Sequence, residues 1–210
     1  LIEGLIAWSE MFAPVGAHLH TAVQGEPFTL HHYPEGTIAF TTGESAPELY
    51  PIASITDVLL EMIETRRSDA FRISPPEGRV ELRTIVADRL SRPGILIDPG
   101  QVAIISGRNQ AWSRLAQILL QPGDIVVSEA PAPLLPIEAF RAAGAQVIGV
   151  PLDGDGMQTT RLDSILARCR PKFIVTMPTF QPPSGVTMTL DRRMDLLAVA
   201  HRQRVPIVEL

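Results

Sequence analysis

Three short loops hold the residues whose types and spacing could support chemistry. The first, Ser-Gly-Arg-Asn-Gln at 106–110, follows an apolar run and opens a segment of helical period. A glycine at Gly107 lets the backbone approach a ligand, and the free N–H groups at the start of a helix suit a phosphate. Arg108 could add a charge-assisted hydrogen bond to that anion. An ordinary strand-to-helix turn with a surface arginine is the alternative interpretation of the same residues.

The other two loops are rich in proline and poor in ionisable groups. They read Glu-Ala-Pro-Ala-Pro at 129–133 and Pro-Thr-Phe-Gln-Pro-Pro-Ser-Gly at 178–185. Glu129 is their only ionisable side chain, and general acid–base catalysis needs such a group within hydrogen-bonding reach. The two loops therefore favour a binding site over a catalytic one.

Lysine and histidine chemistry are both restricted by position. Lys172 is the only lysine among the 18 basic residues, so a reaction that needs a lysine from this chain would have to use it. Four of the five histidines lie between residues 18 and 32, as a His-x-His pair and a His-His pair. Imidazole is a common zinc ligand, but the cysteine or acidic partners of a closed site are missing here. We expect no metal site and interpret this stretch as an arm or linker.

The elements that would position these loops alternate regularly beyond residue 100. Apolar runs predict strands at 101–106, 124–129, 145–151, 172–178 and 205–210, and helical periodicity predicts helices at 109–120, 133–143, 160–168 and 189–203. This alternation predicts an α/β fold, a mostly parallel sheet with helices on both faces and right-handed crossovers. Ligands of such sheets bind outside the carboxyl ends of the strands, where the three loops should lie.

The first hundred residues are less regular. Apolar residues at helical spacing predict helices at 1–12, 52–67 and 80–90, and a short strand is expected at 37–40. The sequence ends on an apolar run of strand length at 205–210, with no helix after it. Doubly wound sheets rarely stop in this way, so we expect the chain to be a fragment.

Composition excludes some classes of function. The 210 residues are 45% apolar and 20% charged, which is typical of a globular protein. A net charge of −5 argues against a surface devoted to nucleic acid, because phosphate contacts need clustered cations. No run of about 18 apolar residues predicts a membrane span, and the N-terminal residues do not match a signal peptide. With one cysteine as a weak further indication of a reducing compartment, we expect a cytoplasmic location.

Several longer segments follow one another in a characteristic order. They are GESAPELYP at 43–51, PPEGRVELR at 75–83, SGRNQ at 106–110, QPGDIVVSEAP at 121–131, AGAQVIGVPLDGDGM at 143–157, PKFIVTMPTFQPPSGVTMTLDRR at 171–193 and VPIVE at 205–209. Together, over about residues 37–210, they resemble the pyridoxal-phosphate-dependent aminotransferases of fold type I, class I/II. Within that family the sequence is similar to the 2-aminoadipate-aminotransferase-like group, which includes the aminotransferase-like domains of GntR-type regulators, the MocR group.

The resemblance implies a domain organisation, a cofactor and partners. Residues 1–36 would be an N-terminal arm or linker, 37–95 a small-domain and interface segment, and 96–210 a truncated large domain of the pyridoxal-phosphate type. The family's active sites are shared across the two-fold axis of a homodimer. Its Schiff-base lysine and substrate-binding arginine would lie beyond residue 210, and Lys172 aligns with a strand start instead. We therefore expect no catalytic residue within this chain, and pyridoxal phosphate as a cofactor whose binding is weakened or lost.

Part of the cofactor site carries over by resemblance. The family's phosphate loop is retained at Gly107 and at the N–H groups of Arg108 and Asn109. We therefore expect the phosphate of the cofactor, or another anion, to bind at this turn.

Four other positions of the cofactor site depart from the family. The tyrosine that reaches the neighbouring subunit's phosphate aligns with Ile73, and the aromatic residue that stacks on the pyridine ring aligns with Pro133. The asparagine that bonds the phenolic oxygen aligns with Pro182. The aspartate that pairs with the ring nitrogen aligns with Leu210, or falls just past it if the register slips by one. Without that acid the cofactor is a poor electron sink, and without the aromatic residue roughly 0.5–1.5 kcal/mol of ring stacking is lost.

Three hypotheses follow for function. The first is a regulatory domain that senses an amino acid or related small molecule and signals to a DNA-binding module outside this chain. The second is part of an amino-acid aminotransferase, with the catalytic lysine downstream. The third is a structural or dimerisation role without a ligand. A winged helix before residue 1 would favour the regulator, whereas lysine and arginine motifs after Leu210 would favour the enzyme.

Overall fold

The computed structural model describes residues 34, 36–38 and 45–210, which fall into two compact units. Among these residues the division lies between Ile105 and Ser106. The predicted helix at 1–12 and the histidine-rich stretch lie outside the described residues, as does the end of the predicted strand at 37–40. Residues 37 and 38 are not in a strand.

The unit that ends at Ile105 is built around two helices. They are α1, Ile52–Arg66, and α2, Val80–Leu90, in agreement with the apolar periodicity. Short 3-10 turns occupy Pro47–Leu49, Arg67–Phe71 and Pro99–Gln101. Within the described residues α1 has no buried side chain, and α2 buries only Ala87. The apolar faces of both helices are therefore exposed.

The predicted strand at 101–106 is wrong. Its first residue ends a 3-10 turn, and residues 102–105 belong to no strand. The Ile104 N–H donates to the Glu77 carbonyl, 2.9 Å away, rather than to a neighbouring strand. An apolar run becomes a strand only when another strand lies alongside, and the described residues supply none here.

The unit from Ser106 to Leu210 contains four helices and five strands. In chain order they are α3 Arg108–Leu119, β1 Ile125–Ala130, α4 Leu134–Ala142, β2 Gln146–Asp153, β3 Gly156–Met157, α5 Thr159–Leu166, β4 Phe173–Thr176, α6 Leu190–Gln203 and β5 Ile207–Glu209. Apart from the strand at 101–106 and the short strand β3, the predicted elements are confirmed to within a few residues at each end.

These strands form one sheet in the order β3-β2-β1-β4-β5. β1 pairs in parallel with β2 and with β4, and β4 pairs in parallel with β5. β3 is antiparallel to β2, with Leu152 opposite Met157. No strand was predicted at Gly156–Met157, because β3 exists only by pairing with the end of β2.

Helices cover both faces of the sheet. Successive side chains of a strand point to opposite sides, and neighbouring residues of β1 lie in two different cores. Val126 lies in a core with residues of α3 and α4, whereas Val127 lies in a core with residues of α5 and α6. Edge-to-face aromatic contacts build the first core: Phe140 lies 5.8 Å from Trp112 and 5.4 Å from Phe173, between ring centroids. The predicted α/β fold, mostly parallel with helices on both faces, is confirmed.

Among the residues that the structure describes, no helix combines the length and the apolar character needed to cross a bilayer.

Candidate ligand-binding crevice

The strand order places a switch point of the sheet, here called the crevice, at the carboxyl ends of β1 and β4. β1 and β4 are neighbours in the sheet, yet the chain leaves β1 for α4 on one face and leaves β4 for α6 on the other. Open α/β sheets bind their ligands where connections part in this way. The loops that part here are 130–133 and 177–189, which contain the two proline-rich segments.

A buried carboxyl group lies at the base of this crevice. Glu129 is only 5% exposed, and its Oε1 accepts hydrogen bonds from Thr176 Oγ1 at 2.5 Å and from the Met177 N–H at 3.1 Å. No ion pair to Glu129 is present within the described residues. Burial raises the pKa of Glu129, and the hydrogen bonds from Thr176, Gln181 and Met177 partly oppose that rise.

Gln181 joins the two loops. Its Nε2 donates to the Pro131 carbonyl across the crevice at 2.7 Å, and its Oε1 accepts from Ser184 Oγ at 2.6 Å. Gln181 is 2% exposed, and its backbone N–H donates to the Val186 carbonyl at 2.9 Å. Glu129 stood out in the sequence as the one ionisable group of these loops, but its contacts and those of Gln181 could not be predicted, because the loop sequences reveal neither strand order nor burial.

The turn before α3 lies at the same edge of the sheet. α3 leads into β1 and α4 leaves it, so both helices run opposite to β1 and begin at its carboxyl end. A hydrogen bond from the Gly123 N–H to the Gly144 carbonyl joins the chain just after each helix, which agrees with helices that run side by side. The start of α3 therefore lies beside the start of α4.

The geometry of this turn suits close approach by a ligand. Gly107 is the N-cap of α3 with φ 127°, and a Cβ at this position would meet open space rather than protein. No side chain caps the start of α3 in the described part of the chain. The N–H groups of Arg108 and Asn109 are among those that an α-helix leaves without an internal partner, whereas the Ser106 N–H is bonded to Gln110 Oε1.

The positions expected to contact a cofactor ring are spread along the same edge. Pro133 is the N-cap of α4, and Pro182 follows Gln181 in the other loop. The Leu210 N–H donates to the Thr176 carbonyl at 3.1 Å, and its side chain packs against the core beneath α3 and α4. Ile73 belongs to the other compact unit, where its side chain is fully exposed.

Lys172 lies at the opposite edge of the sheet. It immediately precedes β4, and its Nζ is 3.5 Å from Asp124 Oδ2, just before β1. Because both strands begin there, this lysine is a strand length away from the crevice. It plays no part in the chemistry of the candidate site.

Comparison with known proteins identifies the family. The sequence model of the family described as Aminotransferase class I and II matches residues 40–208. A 2-aminoadipate transaminase from Thermus thermophilus is 30% identical over 204 residues, which cover 97% of this chain and 50% of that protein. The probable rhizopine catabolism regulatory protein MocR from Rhizobium meliloti is 28% identical over 174 residues, 82% of this chain and 34% of that protein.

A solved structure leads to the same conclusion. The crystal structure of an α-aminoadipate aminotransferase from Thermus thermophilus, complexed with N-(5′-phosphopyridoxyl)-L-leucine, superposes with a TM-score of 0.82 at 28% identity. The match covers 97% of this chain and 50% of that structure, so the chain spans about half the length of such relatives. Because the family model matches residues 40–208 and the fold matches as well, the chain belongs to the class I and II aminotransferase family.

Proposed function

We propose that this chain is the ligand-sensing domain of a MocR/GntR-type transcriptional regulator. Its crevice anchors a phosphate-bearing ligand at the start of α3, and an amino acid or related small molecule is the signal that it senses. DNA contact belongs to a module outside this chain. We further propose that the intact protein is a cytoplasmic homodimer.

One observation carries the proposal: the two ends of the crevice differ in chemistry. At the start of α3, Gly107 and unbonded helix N–H groups match the needs of a phosphate. Where the family contacts the cofactor ring, Pro133 and Pro182 have neither a side-chain donor nor a backbone N–H, and Leu210 is apolar.

The residues present therefore fit the phosphate of pyridoxal phosphate but not its ring. When bound in an enzyme, that cofactor supplies an electron sink for carbanions, which requires an acid at its ring nitrogen. By resemblance Leu210 holds the position of that acid, and the carboxyl at the base of the crevice, Glu129, is engaged by Thr176 and Met177 instead. Sensing needs only differential affinity for a ligand, so it tolerates this loss, whereas transamination does not.

Aminotransferase activity of the intact protein is the alternative. The match with the 2-aminoadipate transaminase, which covers 97% of this chain, favours it. It predicts a stoichiometric visible absorbance band when pyridoxal phosphate is added to the intact protein, and loss of that band on addition of an amino acid. The regulator hypothesis predicts a weak band or none, together with binding to DNA.

A binding experiment tests the phosphate site. Trp112 lies one turn into α3 from Gly107, and a Trp8→Phe background leaves it as the only tryptophan of this chain. We expect its fluorescence to report titration of the intact protein with inorganic phosphate and with pyridoxal phosphate. Arg108→Ala should weaken both affinities roughly fivefold, because it removes a charge-assisted contact at an exposed site.

Arg114→Ala is the matched control. Arg114 is on the same helix, and its Nη1 donates to Gln117 Oε1 rather than facing the turn. The control should leave both affinities within about twofold of the starting protein. If Arg108→Ala changes phosphate affinity no more than Arg114→Ala does, the assigned site is wrong.

A further inference from the structure

The hydrogen bonds of Glu129 and Gln181, here called the crevice bridge, begin where the backbone ladder ends. The parallel pairing of β1 with β4 runs from Val126 opposite Phe173 to Ser128 opposite Val175. The next residues on the two strands are Glu129 and Thr176, and their side chains bond to each other. A side-chain contact thus continues the pairing beyond the last ladder position.

The crevice bridge then crosses between the loops. Gln181 Nε2 donates to the Pro131 carbonyl in the loop that follows β1, while Glu129 at the end of β1 accepts from the Met177 N–H at the start of the opposite loop. No buried side-chain nitrogen or oxygen in the described residues lacks a partner. A network with every member satisfied fixes a unique arrangement, whereas a partly satisfied one is costly.

The position of this network matters more than its contribution to stability. Burying a carboxyl group without a cation is unfavourable, and an apolar pair of similar shape would hold two strands at least as well. The polar pair lies where the connections after β1 and β4 part to opposite faces, with Pro133 two residues beyond Pro131 and Pro182 next to Gln181. Rigid side chains on rigid elements are what a binding site needs in order to keep its geometry.

We propose that Glu129 and Gln181 are positioning residues, whose crevice bridge holds loops 130–133 and 181–185 at a fixed spacing and thereby sets affinity for the part of a ligand that lies between them. The effect on a ligand rests on the proposed function. The effect on the loops does not, because it concerns contacts within this chain alone. The two can therefore be tested separately in the intact protein.

The first measurement is amide hydrogen exchange without any ligand. Gln181→Met removes both hydrogen-bonding groups at nearly constant volume, and the readout is the peptide over 126–135, whose protected amides are those of β1 up to Ala130. We expect exchange there to accelerate roughly tenfold, because the Pro131 carbonyl loses its partner. Ser184→Ala is the matched control, since it removes a bond to Gln181 within its own loop and leaves the cross-crevice bond in place.

The second measurement compares two probes. Inorganic phosphate reports the α3 turn alone, whereas pyridoxal phosphate also places a ring between the loops. Gln181→Met should leave the affinity for inorganic phosphate within about twofold. It should lower the affinity for pyridoxal phosphate roughly tenfold, because a buried hydrogen bond is lost. The Gln181→Asn side chain is too short for its amide to reach Pro131, so this variant should show the same two affinities as Gln181→Met. Agreement between the two variants would show that the effect does not come from misfolding of one of them.

Each outcome decides between the alternatives. Acceleration confined to residues 178–186, or an equal loss of affinity for both probes, would show that Gln181 is merely structural and overturn the proposal. A protein that binds neither probe would contradict the proposed function, and the exchange measurement alone would then decide whether the crevice bridge couples the loops.

Discussion

Burial changes the acid–base chemistry of Glu129 in the crevice. A buried carboxyl without a neighbouring cation favours its protonated form, so its pKa is raised in the folded state. The contribution of Glu129 to stability is then fully present below its ordinary pKa of 4.5 and is lost as pH rises through the raised value. Ionisation at neutral pH thus opposes folding at this position.

This sign leads to a test with two variants of opposite effect. Glu129→Gln cannot ionise, so its free energy of unfolding should decline less than that of the unmodified protein between pH 4.5 and neutrality. Thr176→Val removes a hydrogen bond that favours the ionised carboxylate, and should make the decline steeper. Urea unfolding at a series of pH values measures both. Parallel pH profiles for the three proteins would contradict the assignment of the raised pKa to Glu129.

The residue scale also shows where sequence reasoning stops. The turn at Gly107 could be predicted, because a glycine just before a helix readily adopts the positive φ that a tight turn needs. The pairing of Glu129 with Thr176 could not, because these residues lie 47 positions apart and meet only through the strand order. Spacing in sequence gives the type of group available, whereas burial decides what that group does.

At the scale of elements, periodicity predicted helices better than strands. All six α-helices of the described residues begin within one residue of their predicted starts, since a helix forms from its own hydrogen bonds. A strand depends on its neighbours, and the run at 101–106 lacks one among the described residues. The two-residue β3 could not be predicted either, since it exists only by pairing with the end of β2.

The start of α6 is fixed to the β2–β3 hairpin by one arginine. Arg192 Nη1 donates to the Met157 carbonyl at 2.8 Å and its Nη2 lies 3.1 Å from Asp153 Oδ2, with the arginine side chain only 17% exposed. Arg192→Met leaves that carbonyl without its partner, and we expect unfolding to become easier by about 2 kcal/mol, measured with urea.

An exposed pair on the same helix provides the control for that substitution. Arg202 lies 2.8 Å from Asp163, a shorter distance, but its side chain is 56% exposed and bonds no backbone carbonyl in the described residues. Arg202→Met should therefore cost under about 0.5 kcal/mol. Equal costs for the two variants would mean that charge pairing, rather than the buried backbone contact, fixes the hairpin.

At the scale of the whole molecule, the apolar faces of α1 and α2 are not covered by any other described residues. Val58 and Leu59 on α1 and Ile85 on α2 belong to these faces, and about half of the area of each residue is exposed. An amphipathic pattern predicts that a helix has an apolar face, but the pattern does not name the partner that covers it. The fold could thus be predicted from sequence more completely than the assembly.

A regulator must couple its ligand to DNA, and thermodynamic linkage makes that coupling measurable from both sides. If a ligand in the crevice changes the affinity for DNA by some factor, DNA must change the affinity for the ligand by the same factor. We expect a coupling of about 5- to 150-fold in the intact protein, the usual range for allosteric proteins. Pyridoxal phosphate serves as the ligand, and a DNA fragment selected from random sequences for tight binding serves as the second partner.

The two titrations should agree in the unmodified protein and change together in variants. Arg108→Ala should lower the affinity for the ligand but leave the coupling factor unchanged, because the affinity falls equally with and without bound DNA. Gln181→Met reduces the factor itself if the crevice bridge holds the loops in the state that DNA binding favours. A coupling factor of one, with ligand affinity the same in the presence and absence of DNA, would show that the ligand does not regulate DNA binding. A protein that transaminates and binds no DNA is an enzyme, and its crevice then needs residues from outside this chain to restore the ring contacts that Pro133, Pro182 and Leu210 do not make.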